Sequence, residues 1–275
     1  MIIIEPIGGL ANRMRVIASG IWLKDRLNTQ LTIIWNENHE LNCPFNMLFE
    51  QPDTFRVVNK KRKYNYVKNT SQAGLIKKIC SKVINKLIGV DYCIKEHDFP
   101  DLIWPGKIDL YEIGKRNRRV YIQTCQEFGD NLYSFQFFTP IPELLRKIRK
   151  ITNTFNEHTV GIHIRRTDNQ NSIVNSPLNL FTEAMKSELE IQKEATFYLC
   201  SDDYEVKKEI IAIFGRTVTT STKGSNRKTV LGMQEAVIDL YCLSKTKKIF
   251  GSYWSSFSDI ASRLDNSILT VLKQP

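Results

Sequence analysis

The residues best suited to chemistry cluster just after one predicted strand. The run Thr159–Ile164 predicts a buried strand and leads into His163-Ile164-Arg165-Arg166-Thr167-Asp168-Asn169. Side chains alternate along an extended chain, so His163 and Arg165 point to the same face. Arginine forms charge-assisted hydrogen bonds with phosphate, and histidine can hydrogen-bond a base or serve only as a structural residue. Because adjacent arginines are costly to bury without an anionic partner, the pattern favours an anion site.

Polar residues also follow two other predicted strands and interrupt one apolar helix. They are Ser201-Asp202-Asp203, Asp239 in a predicted helix over 232–243, and the serine cluster that includes Ser255 and Ser256. Paired aspartates at a strand end can bind a metal, act as a base or cap the next helix, and capping is the expected role of one of them. Serines at a helix start can donate to phosphate or only cap the helix.

A glycine motif follows the first predicted strand. It reads Gly8-Gly9-Leu10-Ala11-Asn12-Arg13 and precedes a long predicted helix. Glycine permits positive φ and close approach of backbone N–H groups to a ligand, and a helix N-terminus favours an anion. The motif is not the full dinucleotide-binding fingerprint, so a tight structural turn and a phosphate or sugar contact remain alternatives.

Short β-rich runs alternate with helical patterns in both halves, which predicts α/β units with mostly parallel sheets. A strand over 2–5, a helix over 10–27 and a strand over 31–35 form one βαβ unit, followed by an irregular stretch over 36–63 and a helix over 75–87. The second half predicts a further Rossmann-like unit from residue 159 onward. We place the domain boundary between residues 145 and 146, giving domains 1–145 and 146–275.

Charge is distributed unevenly over the 275 residues. The net charge is +10, and residues 1–150 hold 24 Lys and Arg against 15 Asp and Glu, whereas residues 151–275 hold 15 against 14. Basic clusters at 60–63, 115–119 and 146–150 are either solvated faces or a surface for an anionic membrane or a phosphorylated acceptor. They lack interleaved aromatic residues, which disfavours nucleic acid.

The remaining composition indicates the class of protein. Six dispersed cysteines and four histidines suggest neither a zinc site nor a disulfide framework. No stretch approaches the roughly 20 apolar residues that cross a bilayer. The start Met1-Ile2-Ile3-Ile4-Glu5 fits a buried strand better than a signal peptide, so we expect a cytoplasmic protein whose cysteines are reduced.

The motifs together resemble those of the GDP-fucose-dependent fucosyltransferase superfamily, with α1,2-, α1,6- and protein O-fucosyltransferases as members. Four segments, in the right order, carry the resemblance: the glycine motif, His163-x-Arg165-Arg166-x-Asp168, the strand end 198–203, and 238–244 followed by 250–256. The last segment is most similar to the α1,6 and bacterial nodulation-type branch. Ala11, Arg13 and Trp254-Ser255-Ser256 differ from the α1,2 pattern, which leaves the linkage open.

The resemblance implies a GT-B fold of two facing Rossmann-like domains, the second holding the donor GDP-β-L-fucose and the first lying on the acceptor side. It further implies that His163 and Asp239 contact guanine and that Arg165 is catalytic, offsetting charge on the leaving diphosphate. The other donor-binding residues that it implies are Gly9, Asn12, Arg166, Asp202, Ser255 and Ser256. The general base is open: Asp168 and Glu37 are candidates, and Asp168 is also able to orient either arginine.

The resemblance implies an inverting transfer of fucose to a glycan hydroxyl, which we expect to be metal-independent and to need no cofactor. A lipid-linked precursor of a bacterial surface polysaccharide at the cytoplasmic membrane face is one acceptor that would suit the basic first half. Two alternatives stay open. The first is a transferase that uses another GDP-sugar, and the second is a non-catalytic protein that binds a nucleotide or another anion.

Overall fold

The computed structural model describes residues 1–61, 89–130, 134–167, 169–221 and 226–274. The predicted helix over 75–87 and the candidate residue Asp168 lie outside these ranges. The chain divides into two compact units: unit 1 comprises Met1–Phe45 and Gln51–Phe138, and unit 2 comprises Asn46–Glu50 and Thr139–Pro275. The domain boundary predicted after residue 145 falls within the helix Pro142–Thr152, which belongs to unit 2.

Unit 1 contains a five-stranded parallel sheet. Its strands are β1 (Ile2–Pro6), β2 (Leu31–Glu37), β3 (Arg56–Lys61), β4 (Tyr92–Lys95) and β5 (Val120–Thr124). Their order across the sheet is β3-β2-β1-β5-β4, and every neighbouring pair is parallel. The described helices are α1 (Leu10–Arg26), α2 (Leu110–Arg116), a π-helical turn (Phe99–Ile103) and a 3₁₀ turn (Ser134–Phe137).

Helix α1 packs closely on the central strand β1. The helix buries an apolar stripe that includes Met14, Ile17 and Ile21, as its amphipathic spacing predicts. Gly20 lies on the same side, where an added Cβ would come within 2.4 Å of Ile4 Cδ1. The absence of a side chain at Gly20 therefore lets the helix approach the strand that precedes the glycine motif.

The prediction of irregular structure over 36–63 is wrong at β3, which pairs in parallel register with β2. The sequence of β3 ends in Asn59-Lys60-Lys61, and such charged residues weaken an apolar strand pattern. β3 is an edge strand, where lysine is common because it opposes pairing with another chain. The edge strand β4 has only four residues and was likewise not predicted.

Unit 2 contains a second five-stranded parallel sheet. Its strands are β6 (Thr159–Ile164), β7 (Thr196–Ser201), β8 (Val218–Thr220), β9 (Lys248–Ser252) and β10 (Ile268–Leu272), in the order β10-β9-β6-β7-β8. Its helices are α3 (Pro142–Thr152), α4 (Gln170–Asn175), α5 (Leu178–Ile191), α6 (Tyr204–Phe214), α7 (Val230–Ser244) and α8 (Ser256–Asp265). The predicted α/β architecture with parallel sheets is therefore confirmed.

The central strand β6 anchors the core of unit 2. All six of its residues are buried, and Ile162 and Ile164 pack with Phe181 of α5 and Phe197 of β7. From β6 the chain extends through β7 and β8 on one side of the sheet, and through β9 and β10 on the other. The strand order therefore reverses between β6 and β9, and open α/β sheets bind ligands beyond the strand ends at such a switch point.

Across the described residues, none of the helices combines the length and apolar character needed to span a bilayer.

Candidate active site

The carboxylate of Asp202 holds the loop that follows β6, at the switch point of unit 2. One of its oxygens accepts from Arg165 Nε at 3.1 Å and from Thr167 Oγ1 at 2.6 Å. The other accepts from the backbone N–H of Arg166 at 2.8 Å. The backbone N–H of Thr167 adds a longer contact of 3.3 Å. A single carboxylate thus orders the loop over 165–167, called the arginine loop below.

Asp202 is charged in this environment although it is largely buried. Burial on its own would raise the pKa of its carboxyl group. The Arg165 guanidinium and the hydrogen bonds from Thr167 and the backbone outweigh that effect, so the pKa lies below its usual value. The sequence predicted that the pair Arg165-Arg166 needs an anionic partner. For Arg165 the protein itself supplies that partner, the carboxylate of Asp202. The sequence did not predict this role for Asp202.

Asp203 has a separate task from its neighbour. It is the N-cap of α6, and its side chain accepts from the backbone N–H of Glu205 at 2.8 Å and of Val206 at 3.4 Å. The prediction that one of the paired aspartates caps the following helix is confirmed.

Arg166 braces the arginine loop from within unit 2. Its guanidinium donates to the backbone carbonyl of Arg165 at 3.0 Å and of Ser176 at 2.7 Å. The Ser176 hydroxyl donates to the carbonyl of Leu272 and accepts from the backbone N–H of Tyr253 at 2.8 Å. In this structure Arg166 therefore positions the backbone of Arg165 and Ser176. Contact between Arg166 and the donor stays a prediction.

His163 is buried and neutral beneath the arginine loop. Burial and the nearby Arg165 charge lower the pKa of His163 to about 4, against an opposing effect of Asp202. Its ring stacks on Phe257 of α8 with centroids 4.9 Å apart. Nδ1 is buried and has no hydrogen-bond partner among the described residues. An unsatisfied buried nitrogen is unusual and can be satisfied by a ligand.

Asp239 lies in a buried polar group between α7 and β7. Its Oδ1 accepts from the hydroxyl of Tyr198 at 2.8 Å. Burial raises the pKa of Asp239 to about 6, although the Lys207 charge and hydrogen bonds from Tyr198 and Ser221 act in the opposite direction. The buried Lys207 ammonium donates to the carbonyl and the hydroxyl of Ser221 at 3.2 and 3.1 Å. This polar group was not foreseen beyond Asp239 itself.

The serine pair stands at the start of α8. Ser255 is the N-cap residue without a side-chain capping bond, and Ser256 is the first helical residue. Both side chains are partly exposed. The first N–H groups of a helix lack intrahelical partners and carry a partial positive charge, so this end of α8 favours an anion.

Ser252 connects this segment to the arginine loop. Its hydroxyl accepts from the backbone N–H of Arg165 at 3.0 Å and donates to the carbonyl of His163 at 3.3 Å. The loop after β6 and the start of α8 are therefore held side by side. Ser252 belongs to the serine cluster seen in the sequence, but its positioning role depends on the β6–β9 pairing.

The glycine motif forms a tight turn at the corresponding edge of unit 1. Gly8 adopts φ +86°, and an added Cβ there would also lie 2.8 Å from Asn12 Nδ2. Gly9 is the N-cap of α1, and Asn12 lies in the first turn of that helix. The turn lies beyond β1, where the strand order of unit 1 reverses.

Arg13 supports the turn from the interior. Its fully buried guanidinium donates to the carbonyls of Gly8 and Asn36 at 2.9 and 2.8 Å and to Asn38 Oδ1 at 3.1 Å. It also lies 4.9 Å from the centroid of the Trp35 ring. Burial lowers the pKa of Arg13 to about 10. The residue that departs from the α1,2 pattern is thus part of the structural core of the motif.

Replacing Asp202 should separate its role from that of Asp203. Asp202→Asn is expected to lower the free energy of unfolding by about 2 kcal/mol, because an amide cannot accept from all of the donors that converge on this position. Asp203→Asn is the matched control. It should change the free energy of unfolding by less than about 0.5 kcal/mol, since asparagine caps a helix as well as aspartate does. Urea denaturation monitored by circular dichroism measures both values.

The assignment of Asp202 also predicts how the free energy of unfolding depends on pH. The folded-state pKa of Asp202 is lowered, so its stabilising effect is fully present above the unfolded-state pKa of about 3.9 and is lost as the pH falls through the folded-state value. The stability difference between the wild type and Asp202→Asn should therefore be constant from pH 5 to 7 and shrink below about pH 4. Equal effects of the two substitutions, or a difference that grows in acid, would contradict this assignment.

Comparisons with known proteins identify similar structures but no similar sequences. No protein-family model matches the chain, and no curated protein matches it. A structure of NodZ α1,6-fucosyltransferase soaked with GDP-fucose has 18% identity and a TM-score of 0.63, covering 96% of this chain and 92% of that one. A structure of fucosyltransferase NodZ from Bradyrhizobium has 15% identity and a TM-score of 0.61, covering 94% of this chain and 90% of that one.

Two further structures extend the similarity beyond NodZ. An Arabidopsis thaliana FUT1 variant in complex with GDP has 14% identity and a TM-score of 0.60, covering 100% of this chain and 70% of that one. POFUT1 in complex with GDP has 11% identity and a TM-score of 0.58, covering 98% and 97%. Over nearly its whole length, the chain therefore has the GT-B fold of the GDP-fucose fucosyltransferases.

Proposed function

We propose that this protein transfers L-fucose from GDP-β-L-fucose to a hydroxyl group of a glycan. The observation that carries the proposal is the arginine loop, which Asp202 and Ser252 hold beside the N-terminus of α8 at the switch point of unit 2. This arrangement suits a diphosphate, and it occurs in a chain with the fold of enzymes whose structures contain GDP or GDP-fucose.

In the proposed reaction, the bond between C1 of fucose and the β-phosphate oxygen breaks as the acceptor oxygen attacks the opposite face of C1. The β-linked donor thus gives an α-linked product, GDP leaves, and the acceptor hydroxyl loses its proton. Negative charge develops on the leaving diphosphate. Arg165 is the catalytic residue in this proposal, because a fixed guanidinium can offset that charge without transferring a proton.

Other residues would hold the nucleotide. Ser255, Ser256 and the first N–H groups of α8 offer donors to phosphate oxygens. His163 offers a buried nitrogen, and Asp239 offers a carboxyl group suited to the N1–H and amino hydrogens of guanine. In unit 1, Gly9 and Asn12 are the proposed contacts to the donor sugar or diphosphate. Arg166 and Asp202 contribute mainly by positioning Arg165.

We further propose that no divalent cation is needed. The two carboxylates best placed in sequence to bind a metal already have partners, since Asp202 binds the arginine loop and Asp203 caps α6. The cationic arginine and the end of α8 would neutralise the diphosphate instead.

Two candidates remain for the base that accepts the proton of the acceptor hydroxyl. Glu37 ends β2 and is largely buried. Asp168 lies outside the described residues. Substituting each to the amide and comparing the pH profiles of transfer would distinguish them, because only loss of the base removes the limb of the profile that reports its deprotonation.

Nucleotide binding is the first test of the proposal. Thermal unfolding should be measured with GDP, GDP-fucose, GDP-mannose and UDP-glucose, each with and without EDTA. A ligand present at 100 times its dissociation constant stabilises the folded state by about 2.7 kcal/mol. We expect guanine nucleotides alone to raise the melting temperature, with GDP-fucose and GDP the most effective, and EDTA to leave the shifts unchanged.

Each other outcome has a defined meaning. No shift with any guanine nucleotide would contradict the proposal, and shifts that require Mn²⁺ would contradict metal independence. A preference for GDP-mannose would favour another GDP-sugar as donor. Binding without transfer to any glycan in an acceptor screen would favour a non-catalytic nucleotide-binding protein. The coupling constant of the anomeric proton in the product tests inversion.

Arg165→Lys tests the catalytic role. Lysine keeps the charge but loses the planar guanidinium, so we expect the transfer rate to fall by about 100-fold or more, as when a preorganised donor to a developing anion is removed. Arg216→Lys is the control, because Arg216 is exposed and lies outside the site. The measurement is GDP release from GDP-fucose in the presence of acceptor, with thermal unfolding to verify folding. A folded variant with a wild-type rate would remove Arg165 from the mechanism.

We also propose that α3 contacts an anionic membrane surface, which would suit a lipid-linked acceptor. The helix buries Leu144 and Ile148 and exposes Arg146, Arg149 and Lys150. These three residues are spaced i, i+3 and i+4 and share one face of the helix. Basic residues near an anionic bilayer are worth about 1 kcal/mol each.

Vesicle flotation tests this contact. Arg146→Gln with Arg149→Gln should weaken binding to phosphatidylserine-containing vesicles by about 30-fold, because two favourable charges are lost. Lys186→Gln with Lys193→Gln is the matched control, since both are exposed residues of unit 2 outside α3. Wild-type binding that is equal on neutral vesicles or unaffected by salt would contradict the proposal.

A further inference from the structure

Trp254 has a strained backbone conformation. Its φ is +57°, in the left-handed region, and the only other described non-glycine residues with positive φ are Asn28 and Asn266. Asparagine tolerates this region because its short side chain can hydrogen-bond locally, whereas a bulky side chain there is an outlier. The conformation must therefore be imposed by the surroundings of Trp254.

Hydrogen bonds from the segment that follows the arginine loop impose it. Asn169 Nδ2 donates to the carbonyl of Trp254 at 2.9 Å, and Ser172 Oγ donates to the carbonyl of Tyr253 at 2.6 Å. The backbone N–H of Tyr253 donates to Ser176 Oγ at 2.8 Å. Three side chains thus hold the backbone of two consecutive residues, and these hydrogen bonds keep the turn in its strained conformation.

The strain does not serve to bury the indole. Trp254 is 67% exposed, and its ring centroid lies 5.8 Å from that of Tyr253. Trp104 in unit 1 is similarly exposed at 59%, but its backbone has ordinary helical geometry with φ −64°. A large aromatic side chain held in a strained conformation and presented to solvent is typical of a ligand contact.

The position of Trp254 indicates which part of a ligand it would meet. It directly precedes the N-cap Ser255, so it flanks the end of α8 at which a phosphate is favoured. Its carbonyl is bonded to Asn169, two residues beyond Thr167 of the arginine loop. The sugar of a nucleotide diphosphate sugar is attached directly to the terminal phosphate, so a side chain beside the phosphate site is within reach of the sugar ring.

We propose that Trp254 binds the sugar of the donor, with the indole against the C–H face of the hexose. This inference rests on the proposed function and deepens it. A hexopyranose presents hydroxyl groups at its edge and C–H groups on its faces, and a 6-deoxyhexose adds an apolar methyl group. An exposed, preorganised indole matches such a surface, because little conformational freedom is lost on binding.

The test compares the affinities for GDP and GDP-fucose, measured by isothermal titration calorimetry. Trp254→Gly should leave the GDP affinity within about twofold of wild type and weaken the GDP-fucose affinity by about tenfold, which corresponds to 1.4 kcal/mol. Glycine adopts positive φ without strain, so this variant should melt at or above the wild-type temperature. Trp254→Phe keeps an aromatic ring and should retain most of the affinity for GDP-fucose.

Trp104→Ala is the matched control for removing an exposed indole and should alter neither affinity. Unchanged GDP-fucose affinity in a folded Trp254→Gly variant would overturn the inference. So would an equal loss for GDP and GDP-fucose, because that result assigns Trp254 to the nucleotide or to the loop. A wild-type protein that binds neither ligand would instead overturn the proposed function itself.

Discussion

The candidate site depends on one partly buried ionic interaction, in which the Asp202 carboxylate meets the Arg165 side chain and the backbone of the arginine loop. The loop begins where the strand ladder of β6 ends, so its N–H groups need other acceptors. Ser252 accepts from the N–H of Arg165, and Asp202 accepts from those of Arg166 and Thr167 and holds the Arg165 guanidinium near a fixed point. A charged pair of this kind contributes little net stability compared with apolar packing, but it defines where a cation is presented.

The glycine turn of unit 1 follows the same physical rule with the charges reversed. There a buried cation, Arg13, donates to the carbonyl of Gly8 just beyond β1 and to the carbonyl of Asn36 in β2, and Glu40 accepts from the Gly8 N–H at 3.0 Å. At both switch points, charged side chains hold the backbone beyond a central strand: Asp202 accepts from N–H groups in unit 2, and in unit 1 Arg13 of the glycine motif donates to carbonyls while Glu40 accepts from an N–H. Each turn is therefore held by hydrogen bonds within its own unit, and such preorganisation favours binding.

The elements that position the site were predicted well where apolar periodicity is strong. β6 has the predicted bounds, because it is an apolar run that is buried on both faces. The edge strands β3 and β4 were missed, since charged or very short strands lack that pattern. Asp202 was assigned to donor binding, and its hydrogen bonds to the arginine loop could not be foreseen, because they join residues more than 30 positions apart.

Local sequence patterns predicted the α/β class, two units with parallel sheets, and the strand ends at which polar residues gather. These properties follow from local periodicity and from the rule that parallel strands end at a common edge. The different roles of neighbouring residues became visible in the folded chain: Asp202 orders a loop while Asp203 caps a helix, and Arg165 meets a carboxylate while Arg166 binds carbonyls. The strained backbone of Trp254 and the exposure of its side chain also became visible only in the folded chain. The physical reason is that each of these roles depends on a partner brought close by sheet pairing and helix packing, which local sequence does not encode.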